Sequence, residues 1–189
     1  DTALGGAVTT GINNIALGNA AMDALTSGNC NVAIGKNALS ADNTGHSNIA
    51  IGTETADALT SGCCNVAIGK GAYGAAVTGV ENIAIGYGAM GGADVSTNPG
   101  RNSGVGSYAL YRLTTGLYNT ALGYGTSSCI TTGCHNIGIG QDAGNTVVAQ
   151  NGTINIGKSA NQTTADVACI VAVCLMTACF VETSDCRSK

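Results

Sequence analysis

One phrase returns along this chain at a fixed distance. "NVAIGKNAL" (31–39) comes back as "NIAIGTETA" (48–56) and again as "NVAIGKGAY" (65–73). Aligned on the glycine that closes the "AIG"-like motif, the series runs Gly5, Gly18, Gly35, Gly52, Gly69, Gly86, Gly106, Gly123, Gly140 and Gly157, and seven of its nine intervals are 17 residues. The first interval is 13, and Gly86 to Gly106 is 20, which gives that unit an extended loop, residues 91–101 ("GGADVSTNPGR"). A strict period of this length describes one small unit stacked on copies of itself, so the chain must fold as a solenoid whose coils contact mainly their neighbours.

The fixed columns say how each coil turns. Four residues before the glycine stand Asn14, Asn31, Asn48, Asn65, Asn82, Asn102, Asn119 and Asn136, and seven before it stand Gly11, Gly28, Gly45, Gly62, Gly79, Gly116 and Gly133. Asn and Gly tolerate the left-handed backbone region that corners use, so Asn14, Asn31, Asn48, Asn65, Asn82, Asn119 and Asn136, with Gly18, Gly35, Gly52, Gly69, Gly86, Gly123 and Gly140, are expected to be the structural turn residues. β-branched residues before the glycine and frequent glycine elsewhere argue against helices. The expected fold is all-β: a parallel β-roll or β-helix of 17-residue coils. Stacked at roughly 4.8 Å, about ten coils make a rod on the order of 45–50 Å long.

Within each short strand, Ile15/Leu17, Val32/Ile34, Ile49/Ile51, Val66/Ile68, Ile83/Ile85 and Ile137/Ile139 alternate with Ala16, Ala33, Ala50, Ala67, Ala84 and Gly138. Strand side chains point to alternate faces, so one face is large and aliphatic and the other is small. A solvent face normally carries polar residues, and the small column is therefore expected to meet a second backbone, most simply another copy of the chain around a symmetry axis. The alternative is that alanine packs under a turn of its own coil.

Composition removes several function classes. With 29 Gly, 1 Phe and no Trp in 189 residues, the core must be built from small side chains. A formal net charge of -4, with no basic patch, leaves nothing to neutralise phosphates, so no nucleic-acid partner is expected. The apolar run from Val167 to Val181 is shorter than the ~20 residues of a membrane span and reads as buried strand, with no membrane insertion.

The "N-x-A-I-G-x-x-A-L … T-G" repeats resemble those of phage and large-virus fibre proteins and the head repeats of YadA-like trimeric adhesins, over roughly residues 1–160. That resemblance implies a left-handed β-roll intertwined as a homotrimer, a rigid rod on the virion surface that serves host attachment. Its implied partners are other copies of the chain, other virion proteins and a host surface receptor such as a glycan; a cell-surface adhesin or an extracellular filament is the alternative. Residues 161–189 then form a transition segment. Its end, "ETSDCRSK", is similar to the opening of the intramolecular chaperone domain of endosialidase-type tail fibres. By that likeness Ser184 would be the autoproteolytic nucleophile and Lys189 its base, with cleavage before Asp185; a hydroxyl needs such activation.

Other chemistry is sparse. The acids form no recurring pair, "AIGKNA" lacks the strand-to-helix context of a phosphate loop, and no enzymatic activity or cofactor is expected beyond that self-cleavage. Nine cysteines stand out. Cys30, Cys64 and His135 share the column five before the glycine, and His46, Cys63 and Cys134 the column six before it. The ligands are read as coming from nonconsecutive coils without a C-x-x-C pair, so no metal is expected. Cys129 and Cys134 flank one turn and are candidates for a disulfide, while buried free thiols are the default for the rest. The column after the glycine, which includes Lys36, Lys70, Tyr87, Tyr124 and Lys158, should run along the rod as an exposed stripe suited to a polar ligand such as a glycan. The Thr pairs Thr9-Thr10, Thr114-Thr115 and Thr131-Thr132 sit in turns and give an ice-binding surface little support.

Overall fold

The computed structural model describes residues 10–41, 44–92 and 100–161, together with Ala3 and one short strand further on. Each period contributes one strand: β1 (Ile15–Leu17), β2 (Val32–Ile34), β3 (Ile49–Ile51), β4 (Val66–Ile68), β5 (Ile83–Ile85), β6 (Ser103–Val105), β7 (Thr120–Leu122), β8 (Ile137–Ile139), β9 (Ile154–Ile156) and the two-residue β10 (Val171–Ala172). They form a single parallel sheet in sequence order, and no helix occurs among the described residues. Pairing is in register with the repeat, Ile49 against Val66 and Ile51 against Ile68, so equivalent residues stack in columns. The three extra residues between β5 and β6 do not disturb this, since Ile83 still pairs with Ser103. The protein is an all-β parallel solenoid of 17-residue coils.

The interior is filled by columns that the repeat fixes. The central strand residues Ala33, Ala50, Ala67, Ala84 and Ala121 are at most 1% exposed and point inward. Facing them are Ala21, Ala38, Ala72, Ala89 and Ala109, three residues after the glycine, followed at the next position by Met22, Leu39, Tyr73, Met90 and Leu110, all buried. Leu25, Leu59, Leu113, Ile130 and Val147, seven after the glycine, close the far end. Space is tight enough that columns compensate. Where Thr126 and Ser127 replace the usual Ala and large aliphatic, the strand centre is Gly138, and a Cβ there would lie 2.5 Å from the Ser127 hydroxyl.

The alanine column is therefore internal packing and does not meet another chain, which corrects the expectation that it forms a seam. The large aliphatic pairs are the ones turned outward: Leu17 is 65% exposed, Leu122 50%, and Ile51 36%. Alternation alone shows that two faces differ; it does not show which one points into a coil too narrow for leucine-sized residues opposite one another.

The corners also differ from expectation. The Asn column does not take the left-handed conformation; the residue before it does, whatever its type, as at Cys30 (φ 59°), Ser47 (58°), Glu81 (55°), Tyr118 (58°) and His135 (59°). Asparagine is fixed instead by hydrogen bonding. Asn65 Oδ1 accepts from the backbone N–H of Asn82 at 3.0 Å, and Asn65 Nδ2 donates to the Gly79 carbonyl at 2.7 Å and to Asn48 Oδ1 at 3.0 Å. Repeated from Asn14 to Asn136, this makes a buried amide ladder that satisfies corner groups hidden from water. The closing glycines do need their special backbone, with φ between 117° and 136° from Gly18 to Gly157, a region closed to residues with a Cβ. The earlier glycine column is required for proximity: a Cβ on Gly28 would lie 2.2 Å from the Gly45 carbonyl oxygen.

Candidate functional site

The column after the closing glycine is exposed as expected at Lys36, Lys70, Tyr87, Tyr124 and Lys158. Its rungs are held by coil-to-coil bonds such as Gly88 N–H to the Lys70 carbonyl (3.0 Å) and Tyr108 N–H to the Tyr87 carbonyl (2.9 Å). Lys36 and Lys158 stand on this stripe away from the cavities described next. Lys70, Tyr87 and Tyr124 are brought together by two residues absent from the sequence expectation, Tyr108 and Tyr111.

Tyr108 is the centre of the cluster. Its ring meets Tyr87 and Tyr111 edge-to-face at 5.3 Å between centroids, and Tyr124 at 6.2 Å. Two local features make room. Tyr108 has a left-handed backbone, φ 59°, and the preceding coil supplies glycine where the rings lie: a Cβ on Gly88 would be 3.2 Å from the Tyr108 ring, and one on Gly92 2.0 Å from that of Tyr111. Edge-to-face contacts of this kind contribute about 0.5–1.5 kcal/mol each beyond area burial and fix the rings relative to one another.

Shallow grooves lie on the two sides of the Tyr108–Tyr111 pair. One, of about 330 Å³, is lined by Glu54, Lys70, Gly71, Tyr87, Gly88 and Gly91 with the two rings. The other, of about 340 Å³, adds Arg112, Tyr124, Gly125, Ser128, Cys129 and Asp142. Each sets one acid and one base beside apolar ring faces and phenol hydroxyls. Desolvation by its neighbours, and after it a hydrogen bond with Tyr87, pushes the Tyr108 phenol above its ordinary value, which already lies well above physiological pH. The grooves thus offer flat apolar faces with neutral donor-acceptor groups at their rims, a combination that suits a ring carrying several hydroxyls. All six tyrosines fall between Tyr73 and Tyr124, but that crowding does not say which of them meet: Tyr73 is buried in the core and Tyr118 stacks on His135.

A second exposed column precedes the asparagines. Arg101 pairs with Glu81 at 2.8 Å and donates to the Tyr118 hydroxyl at 2.9 Å, and Tyr118 stacks on His135 at 4.9 Å. Cys30, Cys63, Cys64, Cys129 and Cys134 are all free thiols, so the turn flanked by Cys129 and Cys134 carries no disulfide. His46 and Cys63 are not on nonconsecutive coils: they pair directly, as adjacent rungs. Ser184, Lys189, the cysteines after Cys134, the core of the 91–101 loop and most of residues 161–189 lie outside the described residues.

Comparison of the chain with family models, with curated proteins and with solved structures returned no match.

Proposed function

We propose that this chain is a section of a structural virion fibre or spike, in which three copies pack their aliphatic faces around a common axis to give a rigid rod for host attachment. The observation that carries the reading is the outward face of the sheet. Two parallel columns of Ile, Val and Leu run from Ile15/Leu17 to Ile154/Ile156, interrupted only by Ser103 and Thr120. Eight of these aliphatics are between 36% and 65% exposed. Complete burial of one such side chain contributes about 1.5–3 kcal/mol, so covering the exposed fractions of the eight stabilises an assembly by on the order of 5–10 kcal/mol per chain. A contiguous apolar strip of this length on a sheet is an association surface.

A second copy is the natural cover, because a straight face with a 17-residue repeat matches the same face of an identical chain along its whole length. The tyrosine cluster supports the attachment half of the reading: it lies just past the corner that ends the strands, where three copies would present three equivalent groove pairs, and weak contacts repeated threefold add by avidity. The grooves then contact a host glycan.

The test is the mass of the native particle by light scattering, for the natural chain and for Ile51→Asp with Ile68→Asp. The expected result is three chains for the first and one for the second, with the same far-ultraviolet circular dichroism. A natural chain that is monomeric at micromolar concentration refutes the proposal.

A further inference from the structure

We propose that His46, Cys63 and Cys64 form a binding site for one thiophilic cation of filled d shell, of which Zn²⁺ is the reference ion. Their ligand atoms, one imidazole nitrogen and two sulfurs, lie within 4.8 Å of one another. Tetrahedral zinc, with bonds of about 2.3 Å to sulfur and 2.0–2.1 Å to nitrogen, sets its ligands roughly 3.5–3.8 Å apart, so side-chain rotation of about an ångström closes the site without moving the backbone.

The fold produces this grouping at one place through two features described above. Neighbouring residues of an extended chain point to opposite faces, and Cys63 and Cys64 would diverge. Cys64 instead occupies the left-handed corner, φ 61°, which swings its thiol to the side of Cys63. The coil before it contributes His46, which pairs with Cys63 across the ladder and whose carbonyl accepts from the Cys64 N–H at 3.1 Å. The three donors therefore come from two consecutive coils locked by backbone hydrogen bonds. His46 and Cys64 are exposed, leaving access for the ion and for a water or further donor as fourth ligand. Two thiolates and an imidazole are a soft donor set that selects Zn²⁺ or Cu⁺ over Mg²⁺ and Ca²⁺. On binding, each thiol gives up its proton to solvent and the sulfur pair bonds to the cation; no electron moves. Elsewhere in these two columns no other set of three donors meets among the described residues. The inference does not depend on the fibre reading, since a monomer contains the whole site.

The experiment titrates fully reduced, metal-free protein with Co²⁺ and then Zn²⁺. The expected result is thiolate-to-cobalt charge-transfer absorption at one equivalent per chain, abolished by Zn²⁺ and not by Mg²⁺. Cys63→Ser, Cys64→Ser and His46→Gln each weaken Zn²⁺ binding more than about tenfold, since even loss of a ligand's supporting partner typically costs 10–100-fold. Cys30→Ser, at an exposed free thiol outside the group and outside both grooves, leaves it unchanged. Circular dichroism of the variants is expected to match the natural chain, because the replaced groups are at the surface. Absorption that survives Cys63→Ser and Cys64→Ser, or its absence from a natural chain whose thiols are all titratable, overturns the proposal.

Discussion

Replacing Asn65 by alanine removes one rung from the middle of the amide ladder, and the cost can be worked from its partners. Asn65 is 1% exposed. Its Oδ1 accepts from the Asn82 N–H at 3.0 Å, and its Nδ2 donates to the Gly79 carbonyl at 2.7 Å. After the substitution the buried Asn82 N–H loses this acceptor and the Gly79 carbonyl loses this donor, whereas Asn48 Oδ1 keeps the Asn65 backbone N–H and Asn82 Nδ2 keeps the Tyr73 hydroxyl. Leaving a buried polar group unpaired costs about 1–3 kcal/mol, so two give roughly 2–6 kcal/mol. Set against the 5–15 kcal/mol typical of a whole domain, this is enough to decouple the coils on either side of the rung. Asn29→Ala is the control, because Asn29 is exposed and its side-chain oxygen accepts from the exposed Ile12 N–H (2.9 Å), while its backbone carbonyl keeps the Ser47 N–H after the substitution; the cost stays under about 1 kcal/mol. Urea unfolding at one protein concentration, followed by circular dichroism, reads both. Equal midpoints for the two variants would refute the argument that the ladder, and not turn preference, fixes asparagine in this column.

Three further outcomes follow from the same geometry. Gly69→Ala prevents assembly of the native sheet, since φ is 122° there and the new Cβ would sit 2.6 Å from the Gly86 carbonyl oxygen; Gly71→Asn is tolerated, with φ 64° and no atom within 4 Å, and soluble yield with circular dichroism distinguishes them. Burial raises the half-buried Asp57 carboxyl above its ordinary value, with Glu54 adding to the rise. Its folded pKa then exceeds its unfolded one, so its contribution to stability is full below the ordinary aspartate range and is lost as pH rises through the folded pKa; Asp57→Asn raises the melting temperature at pH 7, by an amount that shrinks on acidification. Tyr108→Ala separates the rings of Tyr87, Tyr111 and Tyr124; on the proposed attachment function the natural chain is retained on a glycan array, Tyr108→Ala abolishes that retention, and Lys158→Ala at the far end of the stripe leaves it unchanged.

The period, the position of every three-residue strand and the parallel register could be read from the spacing of glycines, because each coil repeats the same backbone path. Three things could not. The inward face was hidden because alanine and isoleucine are both apolar, and only the width of the coil decides that Ala50 goes in and Ile51 out. Corners were hidden because residues such as Leu39 (φ 51°), Tyr73 (57°) and Met90 (52°) take left-handed conformations that intrinsic preference assigns to Gly or Asn; burial of their side chains offsets about 1–2 kcal/mol of strain each. The tyrosine cluster was hidden because Tyr87, Tyr108 and Tyr111 occupy three different columns and meet only where Gly88 and Gly92 leave the wall open.

The undisturbed register across the longer coil, Ile83 still opposite Ser103 after 20 residues, separates two quantities that are coupled in most proteins. Height is counted in whole coils of about 4.8 Å. Ornament is set by what leaves the wall between a closing glycine and the next asparagine. A gene built this way can lengthen by duplicating a coil without altering any surface feature, and can acquire a new surface loop without changing its length. Length and surface can therefore be selected independently.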